Sequence, residues 1–454
     1  MGAARMADPS WLDIALFLGV LIAWTVGLVL FSRTERFKRW NLGMAGPILM
    51  VRTVQGKRLL DRLATRRRFW TAYGDASLLF VFIAMFGLFG LLIYEAFLVP
   101  TIPRVNAPTP DLLLGIPGLN RVIPLGYGVL GLAVAIVLHE FAHGILSRVA
   151  NIKVQSLGVL LVILPVGAFV EPDEKEMQAM PRRERLRLYA VGPATNLLLA
   201  VIFMAVFSGL LMPSAQPNTP GHVPAVGLTY VDPDGPAGDV GLHAGWIITS
   251  LNGTVVTDVA SFTVVLQGIP ANKTGVPLYA CYRGACEDKV ADLSYKIDAD
   301  RNAVYGKLNV TVTTVTASRF QPLGFSDSSG PIASILSFTA LPFSGHMPAE
   351  KPYTDFYVLS GPLAGAPDLF WILASATYYL FWLDLMLGAT NALPAIPLDG
   401  GYIFRDAMVG LLQRLQKGVD VERHVRVVRN LSYAISLFIL ALILWQFVGP
   451  RLNA

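Results

Sequence analysis

The stretch that most limits how this chain can fold is 134–148, VAIVLHEFAHGILSR. It places His139, Glu140 and His143 in the spacing H-E-x-x-H inside an apolar run, 126–146, long enough as a helix to cross a bilayer. On a helix, His139 and His143 lie one turn apart on one face. Two imidazoles so placed can grip one metal ion, with Glu140 beside them to act as a base on water. Ionisable groups are costly within a membrane span and mark function by default.

The composition agrees with a membrane setting. Of 454 residues, 54% are hydrophobic and only 15% charged, against about a quarter charged in soluble domains. The formal net charge of +5 does not point to nucleic acid, because the Lys and Arg residues cluster in short loops between apolar runs. Six runs predict six transmembrane helices: 11–31, 76–99, 126–146, 189–212, 369–393 and 431–448. No cleavable signal peptide is expected. The first run follows a single basic residue, Arg5, and leads into a basic loop instead of a small-residue cleavage site.

Orientation follows from the basic loops. Residues 33–68, 175–187 and 405–429 carry the clustered Arg and Lys and should be cytoplasmic. Six spans satisfy all three with the N-terminus outside. The Pro-rich connector 101–122 and the long region after the fourth span are then extracytoplasmic, and His139 falls in the cytoplasmic half of its span. The expected class is a polytopic α-helical protein of the cell membrane. Its divisions are 1–123 (two spans and a basic loop), 124–212 (first part of a membrane core), 213–320 (an inserted α+β domain), 321–367 (linker), 368–416 (second part of the core) and 417–454 (last span).

Residues 152–170, IKVQSLGVLLVILPVGAFV, are apolar but interrupted by Gly158, Pro165 and Gly167. Both ends must stay on the cytoplasmic side, so a re-entrant β-hairpin fits; the alternative is a short buried or tilted helix. Non-helical backbone at membrane depth needs protein or water against it, so a hairpin here should line the metal site. Its edge could pair with an unwound peptide. The fifth span ends in NALPAIPLDGG, residues 391–401, whose prolines stop the helix. A catalytic zinc site commonly has three protein ligands and one open position. Asp399 is the candidate third ligand, with helix capping as its compatible second role. Asn391 is a candidate donor to the scissile carbonyl or the substrate backbone. Asn391 and Asn196 alike could instead satisfy backbone groups between helices.

HEFAH in a span, Gly192-Pro193-Ala194-Thr195-Asn196 in another and NALPAIPLDGG after a third resemble the site-2 protease family, the intramembrane zinc metalloproteases. The resemblance covers roughly 126–212 and 369–415. It implies zinc held by His139, His143 and Asp399, Glu140 as the catalytic base, and Asn391 at the substrate. It also implies cleavage of transmembrane segments of membrane proteins after a first cut by another protease. The hairpin with GAFVEPDE resembles the re-entrant loop of prokaryotic members. Residues 223–254 resemble the start of a PDZ domain, with a helix expected over 258–266 and further strands to about 316. Trp246 stands where such domains usually carry Asp.

Two other classes fit parts of the chain. A non-catalytic membrane receptor or scaffold would bind extracytoplasmic peptides through the PDZ-like domain, and would have no reason to hold stoichiometric zinc. A metal transporter would string ionisable residues across the membrane, whereas here they gather at one level. Asp384, within the fifth span, has no assigned role. Cys281 and Cys286 close CYRGAC either as a local disulfide or as free thiols. Asn252, Asn272 and Asn309 open Asn-x-Ser/Thr triplets. His222, His243, His346 and His424 lie in polar stretches and are expected at the surface.

Overall fold

A computed structural model describes residues 11–53, 56–104, 107–113, 115–120, 122–162, 164–270, 272–298, 303–322, 330–344, 350–416 and 419–452. The chain forms two compact units. One is built from Met1–Ile202 and Tyr379–Ala454, the other from Phe203–Tyr378.

The first unit begins with helix α1 (Trp11–Ser32) and the short α2 (Glu35–Arg39), whose first turn Thr34 caps. Strands β1 (Leu42–Ala45) and β2 (Ile48–Thr53) follow, then α3 (Lys57–Ala64), α4 (Arg67–Leu98) and α5 (Leu125–Val149). Strands β3 (Val154–Val162) and β4 (Leu164–Pro172) lead into α6 (Glu174–Ala179) and α7 (Arg182–Ala205). The apolar runs are helical because a helix satisfies its own backbone hydrogen bonds, which lipid cannot do. Among the described residues, five helical stretches are long and apolar enough to span a membrane: Arg67–Thr101, Leu125–Val149, Arg182–Ser214, Pro367–Ala392 and Val421–Leu452. The remaining expected span, 11–31, falls on α1, of which Gly19–Ser32 is a shorter apolar stretch than the other five.

The basic stretch 33–68, expected as a loop, is largely folded. Strands β1 to β4 form one antiparallel sheet in that order. Leu49 lies opposite Leu161, and Thr53 opposite Leu157. The 152–170 stretch is thus a hairpin, not a short helix. Trp24 of α1 donates its indole N–H to the Pro47 carbonyl at 2.7 Å, tying the β1–β2 turn to the middle of α1. Strand β4 ends the sheet and runs against α5. Helix α3 buries Leu60 and Ala64 while Arg58, Leu59, Arg62 and Leu63 stay exposed. Leu60 packs with Ala142, Ile145 and Leu146 of α5.

The second unit holds β5 (Ala215–Pro217), β6 (Ala225–Val231), α8 (Pro236–Asp239), β7 (Ile247–Leu251), β8 (Thr254–Val255) and α9 (Val259–Gln267). It continues with β9 (Val276–Tyr282), β10 (Ala285–Ala291), β11 (Ser294–Asp298), β12 (Ala303–Lys307), β13 (Val310–Val315), α10 (Gly330–Thr339) and β14 (Tyr357–Leu359). Its main sheet runs β10-β9-β7-β6-β13, with β8 on β7. Asn252 and Gly253, both at positive φ, make the tight β7–β8 turn. Asp258 and Ser261 form a capping box that starts α9. The Ser261 N–H holds the Asp258 carboxyl below the usual range. Trp246 is buried in this unit's core and stacks on Tyr282 at 5.6 Å. Cys281 and Cys286, directly opposite on β9 and β10, form a disulfide. The stretch 321–367, expected as a linker, carries α10 and β14, and β14 pairs with β5.

Helices α11 (Pro367–Ala392), α12 (Asp399–Leu415) and α13 (Val421–Leu452) complete the chain. In the first unit, a Cβ on Gly388 of α11 would meet Leu197 Cγ at 2.9 Å and Asn196 Cβ at 3.1 Å. This glycine therefore lets α11 approach α7 closely. The Arg187 guanidinium grips Asp75 with two bonds of 2.7 and 2.6 Å, joining α7 to α4, and Arg185 pairs with the buried Asp406 of α12. These pairings explain why α4 and α7 start well before their apolar runs. His424 is not at the surface: it is buried and pairs with Gln416 through Nε2 at 3.1 Å. His222 and His243 are exposed, and His346 lies outside the described residues.

Candidate metal centre

Two helices of the first unit bring three donor residues to one point. Helix α5 presents His139 and His143 one turn apart, with their Nε2 atoms 3.2 Å from each other. The oxygen of Asp399, on the first residue of α12, lies 3.1 Å from His139 Nε2 and 3.3 Å from His143 Nε2. The turn that delivers Asp399 is tightly built. The Ile396 N–H donates to Ser436 of α13 at 2.9 Å. A Cβ on Gly400 would stand 2.3 Å from the Ala392 carbonyl, so no larger residue fits there.

The donor set fits a metal. His143 Nδ1 is 2.7 Å from the Leu188 carbonyl of α7. A carbonyl only accepts, so Nδ1 carries the proton and Nε2 offers its lone pair. His143 Nε2 faces the Asp399 carboxylate and the second imidazole, a grouping of donor atoms that a shared proton or a metal cation can hold together. Zinc bound to N and O at about 2.0–2.1 Å in a tetrahedron needs ligand atoms about 3.3 Å apart. The three observed separations, 3.1, 3.2 and 3.3 Å, meet that requirement. Among the described residues, these three are the group of His, Cys, Asp or Glu side chains that could hold an ion.

Helix α7 leaves the room. Leu188, Gly192 and Asn196 form one row at four-residue spacing, facing α5. A Cβ on Gly192 would stand 2.3 Å from His143 Nε2 and 2.6 Å from His139 Nε2, crowding the two donor atoms. Asn196, fully buried, puts its amide nitrogen 3.2 Å from His139 Nδ1.

His139, Glu140, His143, Asn391 and Asp399 all line one cavity of about 400 Å³, so every site residue expected from sequence is brought together. Val170 of β4 donates its N–H to Glu140 Oε2 at 3.0 Å. The base candidate is thereby tied to the outer edge of the sheet. Asp384, two turns before Asn391 on α11, is buried with no hydrogen-bond partner for either oxygen among the described residues. The Leu188 carbonyl, the Val170 amide and the space at Gly192 were not foreseen. The sequence traces are the Gly-Pro-x-x-Asn spacing around Gly192, which does not say what it faces, and the 152–170 hairpin, which was expected to line the site without saying which amide would do so.

The chain matches the model of Peptidase family M50 over residues 127–439. It is similar to an uncharacterized protein of Methanocaldococcus jannaschii, 24% identical over 92% of this chain and 91% of that one. It is also similar to two proteins provisionally named zinc metalloproteases. That of Clostridium perfringens is 24% identical over 73% of this chain and 95% of its own length. That of Clostridium acetobutylicum is 22% identical over 72% and 97%. With the family matched across both halves of the site, and with two imidazoles and a carboxylate meeting at zinc spacing, the chain belongs to Peptidase family M50 and is a zinc-dependent membrane metalloprotease of the site-2 type.

Proposed function

We propose that this protein is a six-span intramembrane endopeptidase that cuts the transmembrane segments of other membrane proteins, near the cytoplasmic side of the cell membrane. The observation that carries the reading is the cavity itself. One wall holds the His139, His143 and Asp399 donors, and another is the outer edge of β4 with Glu140 fastened to it.

In this reading His139, His143 and Asp399 are the zinc ligands. Zinc, when bound, supplies Lewis acidity that polarises a carbonyl and makes a water more acidic. Glu140 takes the proton of the attacking water and passes it to the leaving amide nitrogen as the C–N bond breaks. Asn391 holds the scissile carbonyl or the neighbouring backbone through its side-chain amide. Helical peptide bonds are shielded by their own hydrogen bonds, so the substrate must unwind. The outer edge of β4 offers it backbone partners, as in strand addition. Both hairpins of the sheet are apolar and are read as re-entrant. The Trp24–Pro47 bond, well inside α1, supports that depth for the β1–β2 turn. Residues 213–320 are read as an extracytoplasmic PDZ-like domain that excludes bulky ectodomains, so that a first cut by another protease precedes this one.

The test is reconstitution of the full chain in proteoliposomes with a single-span substrate, followed by mass spectrometry of the products. The expected cut lies within the apolar segment. It should slow by up to about fivefold for each Gly near the cut replaced by Leu, because unwinding then costs up to about 1 kcal/mol more per Gly removed. Cleavage confined to the soluble flanks would refute the intramembrane reading.

A further inference from the structure

We infer that Asn196 is a positioning residue: its side-chain oxygen accepts the His139 Nδ1–H and so fixes the tautomer that presents Nε2 to the metal. This rests on the zinc site proposed above. Asn196 is completely buried, and its Oδ1 has no hydrogen-bond partner among the described residues while its Nδ2 lies 3.2 Å from His139 Nδ1. Read atom for atom, that pairing has two defects. A buried oxygen is left without a donor. An N–H aimed at Nδ1 also requires a lone pair there, which puts the ring proton on Nε2, the atom that must ligate.

The amide's oxygen and nitrogen are nearly the same size, and which is which is settled by the hydrogen-bond network. Turning the amide over removes the second defect and gives the oxygen its donor, and the side-chain NH2 group then stands at the position where the oxygen had none. The oxygen then accepts from Nδ1–H, and Nε2 is left with its lone pair 3.1 Å from Asp399 and 3.2 Å from His143 Nε2. The second imidazole is held in the same way by a different acceptor, the Leu188 carbonyl on His143 Nδ1. One helix, α7, thus orients both histidines: a carbonyl at Leu188, an amide two turns later at Asn196, and between them Gly192, which leaves the ion its space. Such outer hydrogen bonds set ring orientation and ligand basicity. The register of α7 against α5 therefore governs how well the metal is held, although α7 contributes no ligand.

Two near-isosteric replacements separate the possibilities. Asp keeps an acceptor and has no N–H; Leu has neither. Zinc affinity of the purified full chain is measured by competition with a chromogenic chelator. Thermal unfolding of the chelator-stripped proteins confirms that each variant folds. Asn196→Leu should lose about 10–100-fold in zinc affinity, whereas Asn196→Asp should hold zinc as the parent does. Parent-like affinity in the Leu variant overturns the assignment. So does an Asp variant as weak as Leu, since a residue that donated to His139 could not be replaced by a pure acceptor. If the Leu variant does not fold, the Asp variant decides alone: retention supports the acceptor role and loss refutes it. A parent chain that binds no zinc would instead sink the metal site itself.

Discussion

Replacing Glu140 by Gln should all but abolish peptide cleavage and leave zinc in place. Glu140 lies next to His139 in sequence but outside the group of three donors, whose mutual distances are satisfied without it. Its oxygen faces the same cavity and accepts the Val170 N–H at 3.0 Å. A Gln amide has the same shape and can accept that N–H through its own oxygen. What it cannot do is take a proton. General base catalysis is worth about 10²–10⁴-fold, so the cleavage rate should fall by at least that range while the zinc content of the purified protein stays at the parent level. Undiminished cleavage would remove Glu140 from its role. Loss of zinc would show that the carboxylate belongs to the ligand set.

Gly192→Ala should fail in the opposite way, losing the metal and, with it, activity. The added methyl would stand 2.3 and 2.6 Å from the two Nε2 atoms, well inside van der Waals contact. The imidazoles cannot simply retreat, because the Leu188 carbonyl holds one ring and Asn196 contacts the other from the same helix. Zinc affinity should fall by more than the roughly 10–100-fold typical of an outer-shell change. The helix itself should not suffer, since Ala favours a helix over Gly by about 1 kcal/mol. The variant is therefore expected to fold, to pass size-exclusion chromatography like the parent, and to carry little zinc. Parent-level zinc in Gly192→Ala would mean that the ion sits elsewhere.

The residues of the site differ in how far the sequence alone exposes them. His139, Glu140 and His143 are local: one helical turn fixes their relation, so spacing alone exposes them. Asp399 was found because a single carboxylate in a Pro- and Gly-rich turn is conspicuous, and its meeting with α5 could be anticipated from the need for a third ligand. Asn196 and Gly192 were visible as letters but not as parts of the site. Their meaning depends on which face of α7 turns towards α5, and an apolar span without polar periodicity does not declare its faces.

The same contrast holds for the fold. The long helices follow from apolar length, and α4 and α7 start earlier than expected where charged residues find partners across the bundle, as Arg187 does with Asp75 and Arg185 with Asp406. Strands β1 and β2 were missed because NLGMAGPILMV is a short apolar island in a basic stretch, and its partner β3 lies about a hundred residues away. Non-local pairing of this kind leaves almost no local signal. His424 was misplaced for a similar reason. Its surroundings in sequence are polar, but α13 buries it and Gln416 meets it.

The most direct measurement is metal analysis of the purified full chain joined to zinc X-ray absorption spectroscopy. The account predicts one zinc per chain, with a first shell of two imidazole nitrogens and carboxylate or water oxygen at about 2.0–2.1 Å. It further predicts that one imidazole is lost from that shell in His143→Ala. A protein that carries no zinc, or a shell with fewer than two imidazoles in the parent, would contradict it.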